Sequence, residues 1–555
     1  DSAGKRWFAG GATARQQVHV FDDQFRRTLS YPEQASAGGI ADCQLADLDG
    51  DGQPELNIGY YDPISKVEPI VRAYLNDGTG SFTEATQTVF GGAQVIVRSG
   101  WCEPADFNND GQVDMYISRG GWFGGAYPGV KTSNSLLVNH GNWKFTNETV
   151  SLGLSGAKSL NVSAQWVDID NDGWVDLFVC NENRKPDLFI NEGGKRFVES
   201  AVKYGLDNIG VCKGSAWADI NGDGWPDLVI TNYGDENRIF INEEGKHFRE
   251  VKVPAVNHNP TLGFSTLFFD YDNDGLPDLF IGAYNRDIVP FLENLLHLTP
   301  TQPYDTHRIF RNVSTRDEVR FEDVTKQSRL DIPALSMGSN FGDLDNDGFL
   351  DIFTGTGSIS FGDLVPNQVF RNINGHHFEE VSYEGGFANL QKGHGVSIGD
   401  VNNDGNEDVL VTIGGTFPGD RYFPSLYENP GFGNDWLTLK LEGTESNRSA
   451  IGAKIEVKIR NGKKVRSLYR TVGATSSFGS NPLQCHFGLG RAAEILQVKI
   501  EWPNRRHSVS LYHQVPKNAF LRIREGDSAP TIEKRTSFRF RGADGIHQHG
   551  GGNGG

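Results

Sequence analysis

The chain has 555 residues, of which 37% are hydrophobic and 22% charged, and its net charge is −19 at neutral pH. That length is more than one small core needs, so at least two domains are expected. The acidity disfavours nucleic acid as a partner, no apolar run is long enough to span a bilayer, and five cysteines without a C-x-x-C pair exclude a disulfide-dense scaffold and a thioredoxin-like site.

The chain starts at Asp1 rather than Met, as a processed secretory product would. A short strand-like segment at residues 18–21 is followed by seven copies of one acidic loop, D-x-[DN]-x-D-G-x-x-[DE], each leading into an apolar residue. Oxygen atoms at positions 1, 3 and 5, a main-chain carbonyl at 7 and a carboxylate at 9 are how a short loop wraps a hard cation. The expected ligands are Asp47, Asp49, Asp51, Gln53 and Glu55 in loop 1, and Asp106, Asn108, Asp110, Gln112 and Asp114 in loop 2. Loop 3 offers Asp168, Asp170, Asp172, Trp174 and Asp176; loop 4 offers Asp219, Asn221, Asp223, Trp225 and Asp227. Loop 5 has Asp270, Asp272, Asp274, Leu276 and Asp278, loop 6 has Asp343, Asp345, Asp347, Phe349 and Asp351, and loop 7 has Asp400, Asn402, Asp404, Asn406 and Asp408. Position 7 varies freely because only its carbonyl is used. Position 6 is always Gly and position 4 always Gly or Asn, the residues that best tolerate positive φ.

All-oxygen ligation favours Ca²⁺, at about seven sites. An EF-hand is excluded: position 12 is Ile, Val or Thr rather than Glu, and the flanks are short apolar runs of strand character. First Asp to first Asp, the loops are spaced 59, 62, 51, 51, 73 and 57 residues. Each unit reads as an inner strand, the acidic loop, a second strand, a third ending in Asn and a fourth containing Phe. Four strands in each of seven units predict an all-β fold, a seven-bladed β-propeller over residues 1–433, with the segment at 18–21 completing the last blade.

Residues 434–525 read as a small antiparallel β-sandwich. In residues 453–471 the inward set is Ile455, Val457 and Ile459, and Asn461-Gly462 predicts a type I′ hairpin turn. Residues 435–525 hold 16 Lys and Arg against seven Asp and Glu, so this basic unit could dock on the acidic propeller or meet an anionic polysaccharide. The polar tail 526–555, rich in Gly at its end, is expected to be disordered, with His547 and His549 as weak candidates for a transition metal.

The acidic loops and the Asn-x-Gly…Phe strand pairs resemble the FG-GAP/VCBS repeat of integrin α-subunit propellers and secreted microbial proteins. The stretches at residues 447–458, 473–481, 486–490 and 501–504 resemble the ASPIC/UnbV domain. Together they are similar to the cartilage acidic protein family in a shorter form without the EGF-like module. The resemblance implies a secreted, calcium-binding protein and supplies no catalytic residue.

Function is expected on the rim opposite the acidic loops, where the loops between second and third strands are long and aromatic. Trp122, Phe123, Tyr284, Asn285, Arg286, His394, Arg421 and Tyr422 are the candidates for meeting an extracellular protein or polysaccharide. The alternative is an enzyme of lyase or oxidase type at the channel mouth, where His394, Lys392, Arg98 and Lys213 precede inner strands; no motif for a nucleophile or a catalytic metal accompanies them. The chain is expected to be a monomer, secreted or extracellular, or periplasmic or on the cell surface in a bacterium, because loops of this kind need calcium at about 0.1–1 mM. Cys43 with Cys102, and Cys180 with Cys212, lie in neighbouring units; disulfides and buried thiols both remain open. Asn147, Asn161, Asn312 and Asn447 are glycosylation sequons if the source is eukaryotic.

Overall fold

The structure is a computed structural model that describes residues 18–540, apart from 22–26, 32–38, 52–53, 62–70, 77, 79–81, 87, 89–100, 119–133, 155–160, 183, 207–209, 286, 359–362, 415–423, 474–477 and 493. Trp122, Phe123, Arg286, Arg421, Tyr422, Arg98, Gln53, His547 and His549 lie outside the described residues.

Each repeat folds as read. In the third unit, Asn161–Val167, Asp176–Asn181, Asp187–Asn191 and Phe197–Glu199 form one antiparallel sheet in sequence order. Its second strand is apolar without alternation because both faces are covered. Leu177 and Val179 pack toward the preceding unit with Tyr116 and Leu136, whereas Phe178 and Cys180 pack toward the next with Leu228 and Phe240. Each such side chain contributes roughly 1.5–3 kcal/mol on burial. This is how sheets stacked face to face around an axis share their cores.

Among the described residues, the repeats form six four-stranded sheets and one of five strands, in which Val18–Phe21 runs parallel to Ser425–Tyr427. The amino-terminal segment therefore does complete the last sheet. Inner strands of successive sheets contact one another in a cycle that returns from Gly393–Gly399 to Gly39–Ala46. The fold is a closed β-propeller.

The closure has a repeated chemical device. Asn76, Asn139, Asn191, Asn242, Asn312, Asn372 and Asn429 stand at or just beyond the ends of third strands. Each donates its Nδ2 to the position-8 carbonyl of its own loop and to the position-2 carbonyl of the preceding loop. Asn372 reaches Tyr271 O at 2.8 Å and Leu350 O at 3.1 Å. Asn76 reaches Val401 O at 3.3 Å, joining the first unit to the last.

The second domain is a sandwich of two four-stranded sheets around a single core that includes Leu439, Ile455, Val457, Ile459, Val498 and Trp502. Three details differ from expectation. The sandwich is not wholly antiparallel: Asp435–Glu442 pairs in parallel with Phe520–Arg524, a pairing made by strands far apart in the chain, as the crossover a parallel pair requires dictates. Asn461 pairs with Lys464, so Gly462 and Lys463 form the turn; Gly462 has φ 59° and Lys463 is not at positive φ, the pattern of a type II′ turn rather than I′. The tail is also ordered through Phe540. Thr531–Glu533 adds a strand beside Phe520–Arg524, the Arg535 guanidinium lies 4.4 Å from the Phe520 ring centre, and Phe540 is buried against Phe82 at the seam between first and last units. Apolar Phe538 and Phe540 gain burial there, which outweighs the polar character of the segment.

Candidate metal centres and the domain interface

The loops adopt the geometry their residues permit. Position 4 is at positive φ in all seven, from 50° at Asn171 to 81° at Gly50, and each described position-6 glycine lies between 84° and 98°. In loops 2, 3, 4, 5 and 7 both carboxylate oxygens at position 1 accept backbone N–H groups of positions 5 and 6, as at Asp106, where Asp110 N and Gly111 N lie at 3.0 and 2.7 Å. At position 9, Asp176 accepts Ile169 N on one oxygen and Asn191 N on the other. The carboxylates are thus oriented by the main chain before any ion arrives.

Four loops bring three carboxylates together with oxygens within 4.8 Å of one another: Asp47, Asp49 and Glu55; Asp168, Asp170 and Asp176; Asp270, Asp272 and Asp278; Asp343, Asp345 and Asp347. Loops 2, 4 and 7 carry Asn at position 3 and so hold one carboxylate fewer. The fit to a divalent cation rests on unsatisfied oxygens. Glu55 Oε1, Asp114 Oδ2, Asp272 Oδ1 and Asp343 Oδ1 are buried without a hydrogen-bond partner, an arrangement costly for an anion unless a cation supplies the missing contact. Burial pushes the carboxyls upward, to about 6 at Asp106 and Asp172, about 7 at Asp270 and Asp347 and about 8 at Asp400, with neighbouring carboxylates adding to the rise. In loop 5, Arg311 bridges Asp272 and Asp274 at 2.8 and 2.9 Å, and Arg371 pairs with Asp345 in loop 6; neither arginine was anticipated as part of a loop.

The acidic rim is roofed by the sandwich, the docking that its basic charge suggested. Lys440 Nζ lies 2.8 Å from Asp47 Oδ2, and Lys454 pairs with Asp219. Arg448 N donates to Asn109 Oδ1 at 2.7 Å, Gly488 N donates to Asp343 Oδ2 at 3.0 Å, and His486 Nε2 meets Asn346 Oδ1 at 2.6 Å. Two of the position-6 glycines have a second role here. A Cβ on Gly173 would stand 2.6 Å from Glu445 O, and one on Gly405 2.0 Å from the Trp436 indole, so any side chain would lift the roof.

From this interface residues 478–482 descend along the inner strands. Val396 N donates to Phe478 O at 3.3 Å, Asn481 bonds Asn340, Phe341 and Ile398, and the Phe478 ring stacks on Phe264 at 5.4 Å. The stretch 478–482 is therefore a plug, a role its composition does not announce.

Among the described candidates on the opposite rim, the exposed role predicted for Tyr284 and Asn285 is not what the structure shows. Tyr284 is 3% exposed, between Tyr233 and Phe264, and Asn285 is 4% exposed, donating to Asp305 O and Ala334 O. Both are packed because the 24-residue segment between second and third strands folds back over them, with a short helix at Val289–Leu295. The exposed large hydrophobic residues of that segment are Val289, Leu292, Leu295, Leu296 and Leu298, at 40–61%. Sequence reading missed them, although an LENLLHL run is too apolar for a solvated loop. His394 is half-buried, and burial followed by the Lys392 charge lowers it to about 4. Lys213 is buried in an ion pair with Glu182, and Lys392 is buried.

Cys180 and Cys212 form a disulfide between the third and fourth units, with Cα atoms 6.2 Å apart. Among the sequons, Asn161, Asn312 and Asn447 are buried, which leaves Asn147 exposed. No helix among the described residues is long and apolar enough to cross a membrane.

The FG-GAP-like repeat family matches residues 47–117, 168–230, 219–281 and 343–411, and the ASPIC and UnbV family matches residues 443–530. Cartilage acidic protein 1 of Homo sapiens is 24% identical over 423 residues, covering 72% of this chain and 59% of that protein; the Mus musculus protein is 23% identical, covering 72% and 60%. The chain thus spans about three-fifths of the length of these curated relatives. Among solved structures, the periplasmic gluconolactonase PpgL of Pseudomonas aeruginosa aligns with a TM-score of 0.40 at 10% identity, over 68% of this chain and 93% of that one. Repeats, acidic loops and the roofing domain converge on one assignment: the chain is an FG-GAP-like repeat protein with a C-terminal ASPIC and UnbV domain, similar to cartilage acidic protein 1.

Proposed function

We propose that this protein is a secreted calcium-binding propeller that acts outside the cell as a binding module, with its loop rim committed to holding the sandwich and its opposite rim turned to a partner. The observation that carries the calcium reading is the set of pre-oriented loop carboxylates with buried oxygens that no protein donor satisfies. Bound in all seven loops, Ca²⁺ supplies charge neutralisation; it performs no reaction. The sandwich cations Lys440, Lys454 and Arg470 offset charge that remains in loops 1, 4 and 6.

The partner reading is supported by the apolar surface around Leu292, Leu295, Leu296 and Leu298, which favours an extracellular protein over a polysaccharide. An enzymatic reading gains no support from the described channel residues, since Lys213 is already paired and Phe478 occupies the space between inner strands.

The test is calorimetric titration of the chelator-treated chain with CaCl₂, followed by thermal melting with calcium or with EGTA. Several equivalents of bound calcium and a markedly higher Tm are expected. Equal melting in both conditions would refute the calcium reading.

A further inference from the structure

Between the sandwich and the propeller, over the side of the channel mouth away from the plug, lies a cavity of about 340 Å³. That is the size of a small-ligand site. Its walls reach exposed Gly222 and Gly275, which gives it an entrance from solvent.

At its inner end stands Arg470, whose side chain is 6% exposed. Arg470 Nε donates to His486 O at 3.2 Å and Nη1 to Tyr469 O at 2.8 Å, which fixes the guanidinium plane. Its Nη2 has no hydrogen-bond partner; the nearest anion, Asp343 Oδ2, is 3.6 Å away, already accepts N–H groups from Gly348 and Gly488, and is a metal-loop ligand. A buried guanidinium with an unfilled donor is a site for an oxyanion.

Two further features define what that oxyanion belongs to. Outside the metal loops the walls carry Lys454, Arg470 and Lys499 against Glu456 and Glu501, and Lys454 is already paired with the loop carboxylate Asp219, so it is the unfilled donor of Arg470 rather than a net charge that selects an anion. The remaining surface is flat and apolar, from Trp217, Phe268, Phe341 and Tyr469, and the Trp217 indole N–H is likewise buried without an acceptor. A ring body laid against these faces would present a hydroxyl or carbonyl oxygen to Trp217.

We infer that this interdomain cavity binds a small ring-bearing carboxylate, whose carboxylate group is held by Arg470 Nη2. The shared chemistry could come from a uronic acid or from an aromatic acid. The inference rests on the proposed calcium loading only in that an ion in loop 6 takes up the charge of Asp343.

The experiment titrates the intact, calcium-saturated chain by calorimetry with glucuronate and with benzoate, and in parallel with their neutral analogues glucose and benzyl alcohol. Saturable one-to-one binding is expected for one of the two acids, at least tenfold tighter than for its neutral analogue. Arg470→Gln should abolish it and Lys499→Gln weaken it severalfold; the second variant keeps the test decisive if the first fails to fold. Calcium uptake measured on the same sample separates failure of the cavity from failure of the loops. Absence of saturable binding for both acids at about 10 mM, where even an interaction of a few kcal/mol registers, would overturn the inference. So would equal affinity for the neutral analogues, or binding unchanged in both variants, which leaves the cavity to ordered water.

Discussion

The two rims of the propeller solve opposite problems with the same scaffold. On the loop rim, charge is concentrated and then enclosed: carboxylates sit under Lys440, Lys454 and Arg470 of the sandwich, and Gly173 and Gly405 leave no gap for a side chain. On the other rim, the segment after Asp278–Ala283 leaves leucines in water and buries its polar Asn285. A surface crowded with functional groups can thus be internal structure, while a surface with few of them is the one left open. Density of charge is a poor guide to where a partner binds.

The comparison can be broken most forcefully through the loop carboxylates. Burial holds their folded-state values above those of the unfolded chain, between about 6 and about 8 for Asp106, Asp172, Asp270, Asp347 and Asp400. A group raised in this way stabilises the fold below its unfolded value and loses that contribution as pH rises through its folded value. In EGTA, Tm should therefore fall as pH rises from about 5 to 8. With calcium, ligands held ionised reverse the sign, and Tm should fall as pH drops. The same slope in both conditions would show that the carboxylates do not take up ions.

A smaller but still large effect is expected from the plug. Phe478→Ala removes a buried ring from the cluster with Phe264, Tyr284 and Leu335 and should cost about 3–5 kcal/mol. Denaturant unfolding followed by circular dichroism should then show the sandwich leaving first; a single unchanged transition would mean that Phe478 does not couple the domains. Next comes the ring of asparagines. Asn372→Ala strips a donor from two buried carbonyls, Tyr271 O and Leu350 O, and a loss of about 1–3 kcal/mol is expected in the same assay. Stability within error of the parent would demote the ring to decoration. The smallest effect belongs to Lys440→Met, since its pair with Asp47 is part-exposed: below about 1 kcal/mol, and shrinking with added salt.

Much of the site could be read in the chain because its constraints are local. Positive φ at positions 4 and 6 restricts those positions to Gly and Asn, and alternate oxygens around one ion must lie within nine residues. Inward Ile455, Val457 and Ile459 were equally legible, since strand alternation is a nearest-neighbour property. The turn after Asn461 was misread by one residue because Asn-Gly suits both registers until cross-strand pairing chooses. Tyr284 and Asn285 were misread for a different reason: whether a loop residue is exposed depends on what folds over it, here residues some ten or more positions further on.

Repeat chemistry, strand order and the geometry of the acidic loops were therefore determined by the sequence alone, because each is enforced within a few bonds or by one repeated spacing. Tertiary structure alone decided that the basic domain covers the loops, that Phe478 enters the channel and that Phe540 seals the seam between first and last units. Those outcomes depend on charge and apolar area meeting across hundreds of residues, where no local periodicity records which surfaces will face each other.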